Sequence, residues 1–328
     1  MRCTIINIAN AICLWLMISA TFAQQVAQTT SYPNRPVRVI VPVPPGGGID
    51  LTARIVMTKL SEALGTPFVL DNRAGAGQTV AADIVAKAQP DGYTLLFAAS
   101  GHTISPFMYP SVPYDVHKDF APVTLVSTTP LLLSVNTLVK ANTVQELIAL
   151  AKAKPGELNL ALATPGSSSS VASELFKIVT NTQIVSVPYK GGAQALTALM
   201  SNEVQLIFLP APSVIPLAKS GKLKVLGTSG KERASYLPDV QTLAEAGIKD
   251  FDVAPWYGLV APGKTPGGII DKLYKRVAEV LKLPDTRERF AAAGSDIVGS
   301  SPKEFALFID RELKQNSKLI KAIGMKAD

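Results

Sequence analysis

The chain has 328 residues, with 32 Lys and Arg against 25 Asp and Glu for a net charge of +7, 47 % hydrophobic residues and 17 % charged. That length suggests about two domains of ordinary size, and the apolar content excludes a disordered chain. The basic residues are dispersed and no aromatics interleave with them, so nucleic acid is not the expected partner. The mild positive field favours small anions or a negatively charged membrane surface.

Both cysteines, Cys3 and Cys13, fall in the opening segment. One charge at Arg2, an apolar stretch from Ile5 to Phe22 and small residues up to Ala23 read as a signal peptide over residues 1–23. An uncleaved N-terminal anchor is the alternative, because the stretch is close to spanning length. After cleavage no cysteine remains, which excludes a thiol nucleophile, a disulfide and a thiolate metal site. No later apolar span is long enough to cross a bilayer, so an exported, soluble mature chain is expected.

Short apolar runs then alternate with helical patterns. Val37 to Val41 is a β-branched run followed by prolines and Gly46-Gly47-Gly48, after which Ile49, Ala53, Val56, Leu60 and Leu64 form an amphipathic stripe ending at Gly65. Strands are expected at Val69–Leu70, Tyr93–Ala98, Leu160–Ala163, Ile184–Val187, Val204–Leu209 and Leu223–Gly227, and a helix at Thr79–Ala88. Further helices are expected at Val171–Thr180, Ala193–Ser201 and Ser213–Ser220. Such alternation argues for parallel sheets covered by helices on both faces. Two extended stretches, Ala121–Val135 and Val253–Pro262, interrupt it, and only helices are expected afterwards, at Pro266–Lys282, Thr286–Ala293 and Pro302–Ile323. The economical topology has two α/β domains, one from residues 24–125 plus 252–328 and one from 126–251. The extended stretches would be the two hinge strands between them, and the cleft a natural ligand site.

Several motifs mislead. Gly258 to Thr265 spells GLVAPGKT, the letters of a phosphate-binding loop. Pro262 removes an amide donor there, and Pro266-Gly267-Gly268 delays the helix that such a loop needs. His102 and His117 are the only histidines and have no partner at metal spacing, and Gly166 to Ser170 lacks the closing glycine of a serine nucleophile motif. No cofactor, metal or catalytic set is called for.

One feature recurs. Three times a strand runs into a Gly- or Ser-rich turn that opens a helix: Pro44 to Gly48, Thr164 to Ser170, and Tyr189 to Gly192. Free N–H groups and the positive helix end make each turn a potential anion site, although plain capping chemistry would look the same. The turns come from both expected domains and lie at C-terminal strand ends, where open α/β sheets bind ligands.

With these residues in view, the sequence resembles the periplasmic solute receptors of tripartite tricarboxylate transporters, the Bug or TctC family. The resemblance runs through Tyr32-Pro33-Asn34-Arg35-Pro36, Pro44-Pro45-Gly46-Gly47-Gly48-Ile49-Asp50, Asn72-Arg73-Ala74-Gly75-Ala76-Gly77 and Pro90-Asp91-Gly92-Tyr93. It continues through Tyr114-Asp115, Asp119 to Val123, Val187-Pro188-Tyr189-Lys190-Gly191-Gly192 and Trp256 to Pro262. Two positions depart from it: Val171 stands where the family often has His, and Gln78 replaces a further glycine, a change expected to matter only to a turn.

The resemblance implies a bilobed type II periplasmic-binding-protein fold that closes on a carboxylated solute and delivers it to integral-membrane permease subunits. A periplasmic, monomeric receptor for a di- or tricarboxylate or an aromatic acid is expected. The alternatives are an exported serine hydrolase using Ser167–Ser170 with His102, and a receptor for a signalling partner. The carboxylate is expected at the amides of Gly47, Gly48, Gly191, Gly192 and Ala193. Ser100, His102, Thr164 and Ser169 would add side-chain contacts, with Tyr189, Pro210 and Ala211 nearby and Lys190 as a partner for one charge. Asp50, in the first helical turn, is expected to cap free amides and orient a bridging water, or else only to stabilise the helix dipole. With no other carboxylate placed to receive an ammonium group, a di- or polycarboxylate is preferred over an amino acid.

Overall fold

The computed structural model describes residues 32–325 apart from 231, 235, 249, 250 and 252, and the expected leader lies outside these residues. The chain builds two sheets. In the first, β1 (Val37–Val41), β2 (Phe68–Asn72), β3 (Thr94–Ala99), β4 (Phe120–Thr128), β10 (Trp256–Pro262) and β11 (Asp296–Ile297) take the order β11-β4-β10-β3-β1-β2. In the second, β5 (Leu131–Val135), β6 (Asn159–Leu162), β7 (Val185–Pro188), β8 (Leu206–Pro210) and β9 (Lys224–Thr228) take the order β7-β6-β8-β5-β9.

Helices cover both faces of each sheet, as the strand–helix alternation requires. On one face of the first sheet, α1 (Gly48–Leu64) lies with the later helices α8 (Gly267–Lys282) and α9 (Pro284–Ala293). On the other face, α2 (Thr79–Ala86) and α10 (Pro302–Ile323) enclose Trp256, with Phe305 edge-on to its ring. The second sheet lies between α4 (Val144–Ala153) with α5 (Ser168–Thr180) and α6 (Gly192–Met200) with α7 (Ala211–Lys219). One further helix, α3 (Gly101–Met108), follows β3 and sends Ile104 and Met108 into the same apolar cluster as the second sheet's Leu131 and Phe176.

The sheets are mixed, not purely parallel. β10 runs antiparallel to both β3 and β4, and β5 runs antiparallel to β8 and β9. The reason is geometric. The sheets face each other with the C-terminal ends of their parallel strands toward one cleft. A strand leaving one sheet at the cleft must therefore enter the other from the cleft, against its direction. The expected stretch Ala121–Val135 is accordingly two strands in different sheets, β4 and β5, which turn at Thr129-Pro130. The expectation of helices alone after residue 262 also missed β11, a two-residue strand pairing with Thr128 and Ser127, too short for any periodicity to show.

Gly258 sits where β10 passes under α10: a Cβ there would run into the Phe305 ring and lie 3.0 Å from the Thr124 carbonyl oxygen. Gly258→Ala is expected to lower unfolding free energy by about 1–3 kcal/mol through overpacking. Chemical denaturation monitored by Trp256 fluorescence measures this directly.

Candidate functional site

The C-terminal ends of β1, β3, β6, β7 and β8 deliver the chain to one cavity of about 70 Å³ between the sheets. Its wall includes Gly47 and Gly48 before α1, Ser100 before α3, and Thr164 with Ser167 to Ser169 at α5. Gly191, Gly192 and Ala193 at α6, with Pro210 and Ser213 at α7, complete the second sheet's side. Five helix N-termini therefore converge here, each with amides its own helix cannot satisfy and the positive end of a dipole. Two of them, α1 and α6, have glycine at the N-cap and no side-chain cap, so nothing local competes for those amides. At α5, by contrast, the Ser167 hydroxyl accepts from the Ser170 N–H at 3.3 Å and donates to the Thr164 carbonyl at 2.7 Å. Among the described residues, none on the wall carries a formal charge.

The two sides touch on both flanks of the cavity. The Cβ position of Gly191 lies 3.1 Å from the Pro44 ring, and that of Gly166 lies 3.2 Å from the Gly77 Cα. Gly77 and Gly166 both have positive φ, of 60° and 73°, a conformation open to glycine without strain.

Of the expected site residues, the structure brings Gly47, Gly48, Ser100, Thr164, Ser169, Gly191, Gly192, Ala193 and Pro210 onto this wall. Five others lie off it. His102 is buried in α3, stacked on Tyr114 and edge-on to Phe120 at 4.6 Å between ring centroids. Burial holds its imidazole neutral, with a pKa lowered to about 4. Helical periodicity turns it away from the end of the strand that Ser100 occupies. Tyr189 donates its hydroxyl to Glu203 at 2.8 Å, away from the cavity, and Lys190 is exposed and off the wall. Ala211 is fully buried in the apolar cluster behind Leu209, so it supports the wall and does not form it.

Asp50 is the fifth. It is almost completely buried and accepts from the Gly46 N–H at 3.0 Å, Arg54 Nε at 2.8 Å and Nη2 at 3.1 Å, and Asn72 Nδ2 at 3.0 Å. The carboxylate thus braces the loop between β1 and α1, and Asn72 extends the brace to the Val43 carbonyl. Burial alone would raise its pKa. The bonds from Arg54, Gly46 and Asn72 outweigh that and hold the carboxyl below its ordinary value. With its oxygens so engaged, Asp50 fixes where the Gly47 and Gly48 amides point.

Residues the sequence reading missed include Gln78, Gln194, Ser213, Pro255 and Tyr257, all on the wall. Gln78 carried a signal, as the position that departs from the family pattern. Its side chain reaches the cavity, so the change is more than a turn adjustment. Tyr257 was hidden inside an apolar strand. The GLVAPGKT segment lies at the opposite end of β10 from the cleft. There the Gly263 N–H donates to the Asp119 carbonyl at 2.8 Å and Thr265 to the Pro262 carbonyl at 2.7 Å, so the loop has spent the groups a phosphate would need.

Two α/β lobes linked by crossing strands and closed around a cavity of helix N-termini define a periplasmic-binding-protein fold. The tripartite tricarboxylate transporter family receptor matches residues 52–325, and the chain belongs to this family. Protein BugT of Bordetella pertussis is 37 % identical over 298 residues, covering 90 % of this chain and 91 % of that one. Among solved structures, an R. palustris protein with adipate is 33 % identical with a TM-score of 0.87, covering 90 % of this chain and 99 % of the other. MatC from Rhodopseudomonas palustris with bound malate is 32 % identical with a TM-score of 0.84, covering 88 % and 100 %.

The Asp50 brace has a pH signature. A carboxyl whose pKa is depressed on folding stabilises the protein above its unfolded value, ordinarily 3.8, and loses that contribution as pH falls through the depressed one. Asp50→Asn is expected to lower stability by about 1–3 kcal/mol at neutral pH. The deficit should persist down to about pH 4 and shrink below it, in thermal unfolding of both proteins across that range.

Proposed function

We propose that this protein is an extracytoplasmic solute-binding receptor that captures a small carboxylate in the interdomain cleft and delivers it to a membrane permease. One observation carries the reading. Glycine-capped helix N-termini from both sheets, with unclaimed amides, face a single cavity whose wall holds no acidic side chain. An anion there receives hydrogen bonds and dipole stabilisation from each side. The adipate and malate held by the two R. palustris relatives support a carboxylate as that anion. Family membership supports the periplasm as its compartment and a transporter as its destination.

The alternative hydrolase finds no support in the site. His102 is neutral, ringed by aromatics, and neither of its ring nitrogens meets a hydrogen-bond partner among the described residues. Within the serine cluster, Ser167 and Ser170 spend their hydroxyl protons on the carbonyls of Thr164 and Ser167.

Adipate and malate, the acids of the two relatives, are the first candidates to test. An ammonium group would meet five positive helix ends and no acid on the wall, so succinate should bind ahead of aspartate. In thermal unfolding against a panel of organic acids, a bound acid at a hundredfold its Kd should add about 2.7 kcal/mol of stability and be recovered unchanged. No stabilising acid, or turnover of one, overturns the reading. Gly192→Pro removes one cavity amide at a first helical position, where proline is tolerated, and should weaken binding about tenfold or more by calorimetry.

The crossings at Thr129-Pro130 and Val253–Pro255 are proposed as the hinge, with ligand favouring the closed state through contacts to both lobes. Small-angle scattering should show a smaller radius of gyration with saturating acid than without. Identical profiles, with the free protein as extended as the bound one, count against the hinge.

A further inference from the structure

The contacts that join the lobes beside the cavity have a counterpart on the far side of the crossings. In the first sheet, β3, β1 and β2 lie on one side of the crossing strands β4 and β10, and β11 lies on the other. In the second sheet, β8, β6 and β7 lie on one side of β5, and β9 lies on the other. The cavity takes the ends of β1, β3, β6, β7 and β8, all from the first sides. Gly294 ends α9 just before β11, and Tyr236 lies in the chain that follows β9, so both come from beyond the crossings.

There the two lobes are already packed against each other. The Tyr236 hydroxyl donates to the Gly294 carbonyl at 3.0 Å. A Cβ built on Gly294 would run into Ile215 of α7 and lie 2.6 Å from the Tyr236 ring, so no methyl-sized gap remains. The same carbonyl accepts from Thr129 Oγ1 at 3.1 Å, and the Thr129 N–H donates to the Pro255 carbonyl at 3.0 Å. Thr129 and Pro255 belong to different crossings. One residue thus ties both crossings to the end of α9, and Gly294 is fixed relative to them. Tyr236 and Ile215 belong to the second lobe, packed in its cluster with Leu209 and Val214.

We propose that Tyr236 and Ile215 of the second lobe, set against Gly294 of the first, form a stop behind the hinge that limits how far the lobes open. The inference rests on the hinge reading above. A rotation about the crossings that widens the cavity must narrow the space behind them. Opening therefore drives Tyr236 and Ile215 onto the end of α9, where close-packed atoms leave no room to give. The hydroxyl bond to Gly294 keeps the Tyr236 ring from swinging aside. Restricting the open state raises the fraction of closed molecules before any ligand binds. Apparent affinity scales with that fraction, so the stop tightens binding without touching the solute. Because no ligand atom is involved, it does so by the same factor for every acid.

Small-angle scattering and calorimetry on the full mature protein test this, with adipate and malate as probes. Tyr236→Ala empties the space behind the hinge. Without acid it should show a larger radius of gyration than the parent, and with saturating acid the same one. It should weaken both acids severalfold and by a common factor. Tyr236→Phe keeps the ring but loses its tether, so it should fall between parent and Tyr236→Ala. Ile215→Val, a milder deletion at the same contact, should move both readouts in the same direction and guards against a Tyr236→Ala chain that does not fold. Acid-free variants as compact as the parent overturn the stop, and they leave the hinge standing if the parent contracts with acid. Variants that change the ratio of the two affinities also overturn it, since that places Tyr236 or Ile215 in solute recognition. If parent and variants share one profile with and without acid, hinge and stop fall together. Should neither acid bind, the acid-free comparison decides alone.

Discussion

Both sheets turn the C-terminal ends of their parallel strands, and so the N-terminal ends of the following helices, toward the same narrow space. The rest of the architecture follows from this arrangement. The chain can pass between the lobes only at the cleft, which forces β5 and β10 to run against their neighbours. The field in the cavity is positive although no cation stands on its wall, because backbone dipoles supply it. Neutral walls also remove the need to bury a charged side chain whenever the lobes are together without a ligand, a state in which an unpaired charge would be costly.

The magnitudes explain why helix dipoles of ordinary strength are insufficient by themselves. A micromolar receptor needs about 8.2 kcal/mol of binding free energy. Each helix end contributes about 0.3–1 kcal/mol, rising to about 2 when partly buried. At the ordinary value five ends together give about 1.5–5 kcal/mol, which falls short, so direct amide hydrogen bonds and burial must add to them. The Asp50 brace bears on that geometry: by tying Gly46, Arg54 and Asn72 together it fixes the loop that presents the Gly47 and Gly48 amides. A carboxylate near an anion site is tolerable because its own hydrogen bonds face the loop and Arg54 balances its charge.

Much of this was legible in the sequence because it rests on local patterns. The β-branched run Val37–Val41, the stripe from Ile49 to Leu64 and the glycine turns at 46–48 and 191–192 announce their elements through periodicity and turn chemistry, and each falls where expected. What the sequence did not disclose depends on contacts between distant segments. His102 follows Ser100 by two residues, yet the helix that begins at Gly101 turns one toward the cavity side and the other into the aromatic packing of Tyr114 and Phe120. Tyr257 sits in an apolar strand whose cavity-facing end is defined only by its antiparallel pairing with Ala99. Ser213 is one of many serines until the second sheet is docked against Gly48. Gln78 was visible as a departure, but its reach into the cavity depends on the space above Gly101, which no local pattern encodes.

Contacts between the lobes beside the cavity complete the logic. Amides that are fixed within one lobe bind an anion equally well whether the lobes are apart or together, and such uniform binding cannot shift an equilibrium between the two. Only when both sets reach the same anion does the closed state gain affinity over the open one. The distance at which that happens is set by what the lobes meet first. Beside the cavity they meet at Gly191 against the Pro44 ring, Gly46 beside the Ala193 methyl, and Gly166 against the Gly77 backbone. A side chain at Gly166 would meet Ser105 and Gly77 across the boundary and hold the lobes farther apart, and it would strain a positive φ as well. The glycines therefore act twice in the proposed receptor: they leave amides free for the ligand, and they let the lobes approach closely enough for amides from both sides to share it.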